Sequence, residues 1–287
     1  MTLFQRHGNG SIWQYVGPLL TGWTQLDNNP ATIAVASVFG GGVYQLRGSG
    51  SVWRFVGPPS GWTQLDNNPG TRTIVAGTSV WQLHGDGTIW YYSEFPPAGW
   101  QKIDSNPATR HIVGDFFNST LYKLHGDGSI WWYSSSSSPI GWQLIDHNPV
   151  TRAIVVDASS LYKLHCDGSI FVTNTGLNLG SWTQLDNNPK AVMITSNAGQ
   201  LYQLHGDGSI WQYTGPPLTG WRKIDNNPAT IYIAADLESD AITNTVYQLH
   251  GDGSIWMYKG QPLTGWEKID DNPATCEIYC APNWGGD

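Results

Sequence analysis

Six histidines, His7, His84, His125, His165, His205 and His250, recur at one position of a repeated segment, and an aromatic ring stands six residues beyond each. In four copies the set is complete with an aspartate and a tryptophan: His84, Asp86 and Trp90; His125, Asp127 and Trp131; His205, Asp207 and Trp211; His250, Asp252 and Trp256. Imidazole and carboxylate can exchange hydrogen bonds with hydroxyls, and an indole offers an apolar wall. Those are the groups that a ligand with polar edges and C–H faces requires. The same residues also have a plain structural use. Asp and Asn side chains close tight turns onto neighbouring backbone, and tryptophan is a bulky core spacer. The sequence leaves both uses open.

Other chemistries fit poorly. One histidine and one aspartate per repeat is incomplete for zinc, and equivalent positions on separate repeats stand too far apart to share an ion, so no metal and no other cofactor is expected. The calcium loop D-x-[DN]-x-[DN]-G is absent. Glutamate is scarce and there is no G-x-S-x-G elbow, so neither a paired-carboxylate glycosidase nor a serine hydrolase is indicated, and the chain is expected not to be an enzyme. Cys166 stands where most copies have glycine, which reads as drift rather than as a nucleophile. Cys276 and Cys280 are four apart in an expected strand, about 13 Å at 3.3 Å per residue, too far for a disulfide. All three thiols are expected to be small buried groups.

The elements that must position these residues follow from the repeat. The third residue of the SIW-type triplet falls at Trp13, Trp53, Trp90, Trp131, Phe171, Trp211 and Trp256, in steps of 40, 37, 41, 40, 40 and 45. Each copy continues to a Gly-Trp pair and a DNNP-like quartet, and a period of this length indicates stacked units. Within Leu201–Ala235, Asp207-Gly208 joins two apolar runs as a hairpin, Trp221–Asp225 is a third strand, and Ile231–Ala235 a fourth after Pro228. Four short strands per repeat is the content of a propeller blade.

The expected fold is therefore all-β: a seven-bladed β-propeller of four-stranded antiparallel blades. Its first strand type is missing at the N-terminus and present at the C-terminus, so the C-terminal strand is expected to complete the N-terminal blade. The blades map to residues 2–29 with 273–282, then 30–68, 69–106, 107–148, 149–188, 189–227 and 228–272, in a single domain. Labelling strands A to D from the axis outward places the HGDG turns and the DNNP turns on one rim. The A–B and C–D loops, including GPPLTG, fall on the other. That second rim varies, with a serine run at Ser134 to Ser138 and an unrelated loop at Asn174 to Asn178.

Composition narrows the partners. A formal charge of −8 without a Lys/Arg cluster gives no footprint for nucleic acid. No apolar run approaches the roughly 18 residues of a membrane-spanning helix. No signal peptide is visible at the start, which suits a cytoplasmic protein or one released by a non-classical route.

The repeats LYQLHGDGSIWQY and VYQLHGDGSIWMY, each followed by a GW-x-x-I-D segment, resemble the tectonin-type β-propeller lectins of fungi, slime moulds and bacteria. The resemblance spans the chain. It implies glycans or glycoconjugates bound in repeated clefts between blades, and a role in recognition or defence. Carried onto this sequence, it places clefts near the four His/Asp/Trp sets named above. Arg47 with Ser49, and Phe171 with Cys166, break the pattern, and those two clefts are expected to be weak or empty. The leading expectation is a multivalent lectin. The alternatives are a protein-interaction scaffold that uses the variable rim and, lower, a propeller lyase acting at the axial channel.

Overall fold

The computed structural model describes the chain except residues 1, 18, 39–41, 58–60, 78, 95–97, 116–119, 135–140, 158, 177–178, 198, 237–244 and 282–287. Most of the serine run, and the end of the loop at 174–178, therefore lie outside the described residues. Every described sheet has four strands, and neighbouring strands whose register is known run antiparallel.

Strands A to D of each blade are as follows. Blade one is Thr275–Ala281, Thr2–His7, Ile12–Tyr15 and Trp23–Asp27. Blade two is Thr32–Ser37, Val43–Arg47, Ser51–Gly57 and Gly61–Asn67, and blade three Thr71–Ala76, Val80–His84, Thr88–Ser93 and Gly99–Ser105. Blade four is Thr109–Gly114, Leu121–His125, Ser129–Ser134 and Gly141–His147, and blade five Thr151–Val156, Ser160–His165, Ile170–Asn174 and Thr183–Asp186. Blade six is Ala191–Asn197, Gln200–His205, Ser209–Tyr213 and Trp221–Asn226, and blade seven Thr230–Asp236, Thr245–His250, Ile255–Tyr258 and Trp266–Asp270. The chain is a seven-bladed β-propeller, and its first blade takes strand A from the C-terminus, with Leu3 opposite Cys280 and Gln5 opposite Ile278.

By internal packing the chain divides into two compact units, 1–28 with 154–287, and 29–153. In the first, Tyr202, Leu204, Ile210 and Ile224 of blade six pack against Ile233, Ala235, Val246 and Tyr258 of blade seven. In the second, Tyr44, Leu46 and Val52 pack against Ile74, Ala76 and Val80, and Trp81, Leu83 and Ile89 against Ile112 and Leu121. Strand B is buried along its whole length, as in Leu121–His125 and Thr245–His250, because both faces of a blade are covered. Each such leucine or isoleucine contributes about 2 kcal/mol by leaving water. One pair of changes compensates: Trp81 is buried where five other blades carry tyrosine and blade one Phe4, and Gly114 leaves the room, since a Cβ there would stand 2.8 Å from the indole.

The hairpin between B and C depends on glycine. Gly208 has φ +80° and its amide bonds to His205 O, while a Cβ on it would lie 2.2 Å from Asn227 O. The B–C turn is thus seated on the D–A turn of the same repeat. Each D strand also bulges. Ile210 pairs with Asp225 and Trp211 with Lys223, so Ile224 has no partner across the ladder.

Candidate functional site

The bulge residue explains the Gly-Trp pair. Its carbonyl, released from the ladder, accepts the indole N–H of the following blade: Trp266 Nε1 to Ile224 O at 3.0 Å, Trp221 to Leu185 O at 2.9 Å, and Trp23 to Ile269 O at 3.0 Å. In the second unit Trp100 bonds Leu65 O and Trp142 bonds Ile103 O, both at 3.1 Å. These tryptophans also pack in tilted fashion on an aromatic of strand C, as Trp266 does on Tyr258 with centroids 5.1 Å apart. Their apolar body and polar tip are both spent on joining blades.

The His/Asp/Trp sets come together, and in each the Trp and the Asp are joined by hydrogen bonds through the intervening Ser or Thr. Trp211 Nε1 donates to Ser209 Oγ at 3.1 Å, and Ser209 Oγ donates to Asp207 Oδ1 at 2.6 Å. Trp131, Ser129 and Asp127 repeat this, as do Trp256, Ser254 and Asp252, and Trp90, Thr88 and Asp86. The hydroxyl, with the backbone amide it sits on, holds each of these aspartates below the usual carboxylate range. The ring of Trp211 is stacked by His205 at 5.5 Å from strand B and approached by Lys223 at 5.1 Å from strand D. His84, His125 and His250 lie 5.9, 5.7 and 5.7 Å from Trp90, Trp131 and Trp256. In blade two Arg47 takes the histidine's place, 3.9 Å over Trp53.

In blade seven the relay also fixes the imidazole. Ser254 Oγ gives its proton to Asp252, so its 3.3 Å contact with His250 is donated by Nδ1–H, which leaves a bare lone pair on Nε2. That lone pair faces Asn227 Nδ2 at 3.4 Å. Burial pushes His7, His84, His125, His205 and His250 down from the ordinary value, so these imidazoles are neutral.

A cleft of about 670 Å³ lies beside this set. Lys223, Asp225 and Asn226 of strand D of blade six and Asn227 and Pro228 of the turn that follows line it, together with Leu263 from the C–D loop of blade seven. Leu263 stands here because its amide donates to Ile224 O at 2.8 Å, the bulge carbonyl that also takes Trp266. The bond holds it at φ +65°, a conformation that costs a leucine about 1–2 kcal/mol, and 57% exposed. Leu218 on Leu185 O and Leu20 on Ile269 O are held alike. The GPPLTG-type loops, expected on the rim opposite the DNNP turns, therefore reach over the preceding D strand, because the bulge carbonyl captures the leucine amide. Lys223 and Leu263 were not singled out by sequence. Their one signal is the segment P-L-T-G-W, present in the copies that end at Trp221 and Trp266 and as L-L-T-G-W at Trp23.

Within the cleft Lys223 Nζ donates to Asn226 Oδ1 at 3.3 Å, and Asn227 Oδ1 accepts the Ala229 amide at 3.0 Å. Asp225 is only 8% exposed and its Oδ2 has no hydrogen-bond partner among the described residues. A second, smaller cleft of about 200 Å³ in the other unit is lined by Tyr44, Tyr91 and Tyr92, where Arg54 and Glu94 neutralise each other.

No group of three metal-ligating side chains occurs among the described residues. Nor do the cysteines form small buried groups: Cys166 and Cys276 are exposed and Cys280 half-buried. Cys166 occupies the hairpin turn, and Cys276 the exposed second position of strand A, where its thiol donates to Arg6 O at 3.2 Å.

No family model and no curated protein matches the chain. Solved structures share its fold at low identity. Human WBSCR16 superposes with a TM-score of 0.68 at 8% identity, over 98% of this chain and 96% of that one. Prp20p from Saccharomyces cerevisiae, whose structure was described with its binding to Gsp1p and histones, gives 0.70 at 10% over 98% and 89%. YCF48 bound to D1 peptide gives 0.60 at 14% over 85% and 83%. At these identities the likeness is one of fold. No helix among the described residues is long and apolar enough to cross a membrane.

Proposed function

We propose that this chain is a carbohydrate-binding protein that presents several clefts of one design and has no catalytic role. The observation that carries the reading is the cleft at Asp225, where a carboxylate oxygen in need of a donor, an ammonium and two side-chain amides converge beside an exposed leucine. A sugar offers hydroxyls to the first set and C–H groups to the second. The resemblance of LYQLHGDGSIWQY to tectonin-type lectins supports the same class. Individual contacts of this kind are weak, and several on one scaffold raise avidity by about 10² to 10⁴. Binding on an array of diverse glycans, with agglutination that a soluble sugar inhibits, is the expected result; a blank array and no agglutination would overturn the reading.

A second reading is a protein-interaction scaffold. It is favoured by two of the solved propellers, one described with its protein binding and one with a bound peptide. It assigns specificity to the loops that differ between blades. Exchanging residues 134–138 for the shorter loop of blade six would then abolish capture of the partner and leave sugar binding untouched.

A further inference from the structure

The aspartate of the DNNP-type quartet is chemically the same in every repeat but is not used in the same way. Asp104 is bonded to Lys123 at 2.7 Å, and Asp186 accepts Gln203 Nε2 at 2.7 Å. Asp270 takes a hydrogen bond from Gln5 and a longer contact from Thr275 Oγ1 at 3.4 Å. Asp225 is as deeply placed as these, yet its Oδ2 is left without a donor; Asp27 and Asp66 share that state, but Gln25 and Gln64 stand beside them where Lys223 stands beside Asp225. A buried carboxylate oxygen requires one.

Asp225 is also one of the residues that line the cleft. The other groups there are complementary to one kind of guest: Lys223 donates, the exposed Asn226 both donates and accepts, and Leu263 offers an apolar surface held upright by its backbone bond to Ile224. The equivalent place under Leu218 differs on three counts. Asp186 is already paired, Gln184 stands where Lys223 does, and Phe171 replaces Trp211. Under Leu20, Lys268 and Trp256 are retained, but Asp270 is paired and Asp271 puts a second carboxylate where Asn226 stands.

We infer that the clefts are unequal, and that the one formed by Lys223, Asp225, Asn226 and Leu263 is the primary saccharide site, in which a sugar hydroxyl donates to Asp225 Oδ2 and a C–H face rests on Leu263. This rests on the carbohydrate reading above and narrows it to one junction.

The test is calorimetric titration of the full chain with methyl glycosides of glucose, galactose, mannose, fucose and N-acetylglucosamine, followed by a crystal soak with the tightest binder. Asp225→Asn exchanges the acceptor for a near-isosteric group and is expected to weaken that glycoside about tenfold or more, the loss of one charged hydrogen bond. Leu263→Gly, which also relieves the backbone, is expected to weaken it severalfold, whereas Asp186→Asn leaves affinity unchanged. Density in the soak is expected first at Asp225, and this reading does not depend on any variant folding. Equal density in all seven clefts, or unchanged affinity in both Asp225→Asn and Leu263→Gly, overturns the assignment and leaves the lectin reading standing. No binding of any glycoside to the unaltered chain overturns both.

Discussion

Blade four and blade seven answer the same problem with different residues on strand B. In blade four the position holds Lys123, whose ammonium lies 2.7 Å from Asp104 and 4.1 Å over the ring of Trp142, with the side chain 3% exposed. A lysine has no acceptor, so Thr109 Oγ1, at the head of the adjoining strand A, is left without a partner. In blade seven the position holds Gln248, whose Oε1 takes Thr230 Oγ1 at 2.5 Å, and the carboxylate it could have neutralised, Asp225, keeps an open oxygen. Gln45, Gln82 and Gln5 accept Thr32, Thr71 and Thr275 in the same way. Gln5 also bonds Asp270, so a glutamine at this position can hold the aspartate or leave it open, whereas the lysine of blade four holds it as a structural anchor.

Breaking what both blades share should have the largest effect. A Cβ at Gly128 or Gly208 would meet the carbonyl of Asn148 or Asn227 at 1.9 or 2.2 Å, with φ +79° or +80°. Gly128→Ala and Gly208→Ala are each expected to cost more than about 3 kcal/mol, read as loss of the denaturation midpoint in urea, because strain and clash add. Next comes Lys123→Ala, which leaves Asp104 buried and unpaired. About 3–5 kcal/mol should be lost, while Asp225→Asn should stay within about 1 kcal/mol of the parent. If the two variants lowered the midpoint equally, the contrast between the blades would be false.

Acidification acts on both units at once. The imidazoles of His7, His84, His125, His205 and His250 are held below their unfolded value by burial, so between about pH 6.5 and the lower folded values the unfolded chain binds more protons. Stability should be level above that window and fall as the pH is lowered through it. The turn aspartates Asp86, Asp127, Asp207 and Asp252, depressed by their hydroxyl partners, add their loss only below the ordinary carboxylate value of 3.8. Thermal melts across pH 8 to 5 check this, and a midpoint that rose on acidification would contradict the neutral tautomer. The smallest effect is a gain. Blade six has Ala191 where four blades have a threonine bonded to glutamine, and Gln203 Oε1 is unpaired. Ala191→Thr should supply the donor and add about 1 kcal/mol.

Much of the architecture was legible because each local signal agreed with the others. Asp-Gly between apolar runs, Pro228 at a strand entrance and the 40-residue step all pointed to four strands per repeat, and the surplus strand at the C-terminus pointed to its place beside Leu3. The candidate cleft was less legible. That Ile224 bulges, that its carbonyl is thereby set free, and that Leu263 adopts a left-handed backbone to reach it are consequences of tertiary hydrogen bonds that run against leucine's own preference. The two-rim scheme, drawn from strand direction alone, kept GPPLTG away from DNNP for the same reason. The His/Asp/Trp sets, expected from spacing to mark ligand clefts, lie together in the fold. What spacing could not show was that Ser209, Ser129, Ser254 and Thr88 take the indole N–H and one carboxylate oxygen of each set, while Nε2 of His84, His125 and His205 has no partner among the described residues.

The bulge carbonyl and the indole that seeks it have a consequence for how such a chain changes over time. In five repeats, those of Trp23, Trp100, Trp142, Trp221 and Trp266, an indole plug meets a carbonyl socket on the preceding blade, so a duplicated copy of that kind arrives already able to dock, and docking does not constrain the residues at the cleft mouth. Individual members can then exchange Lys223 for Gln184, or Asn226 for Asp271, without loosening the assembly, and recognition is left to drift one repeat at a time.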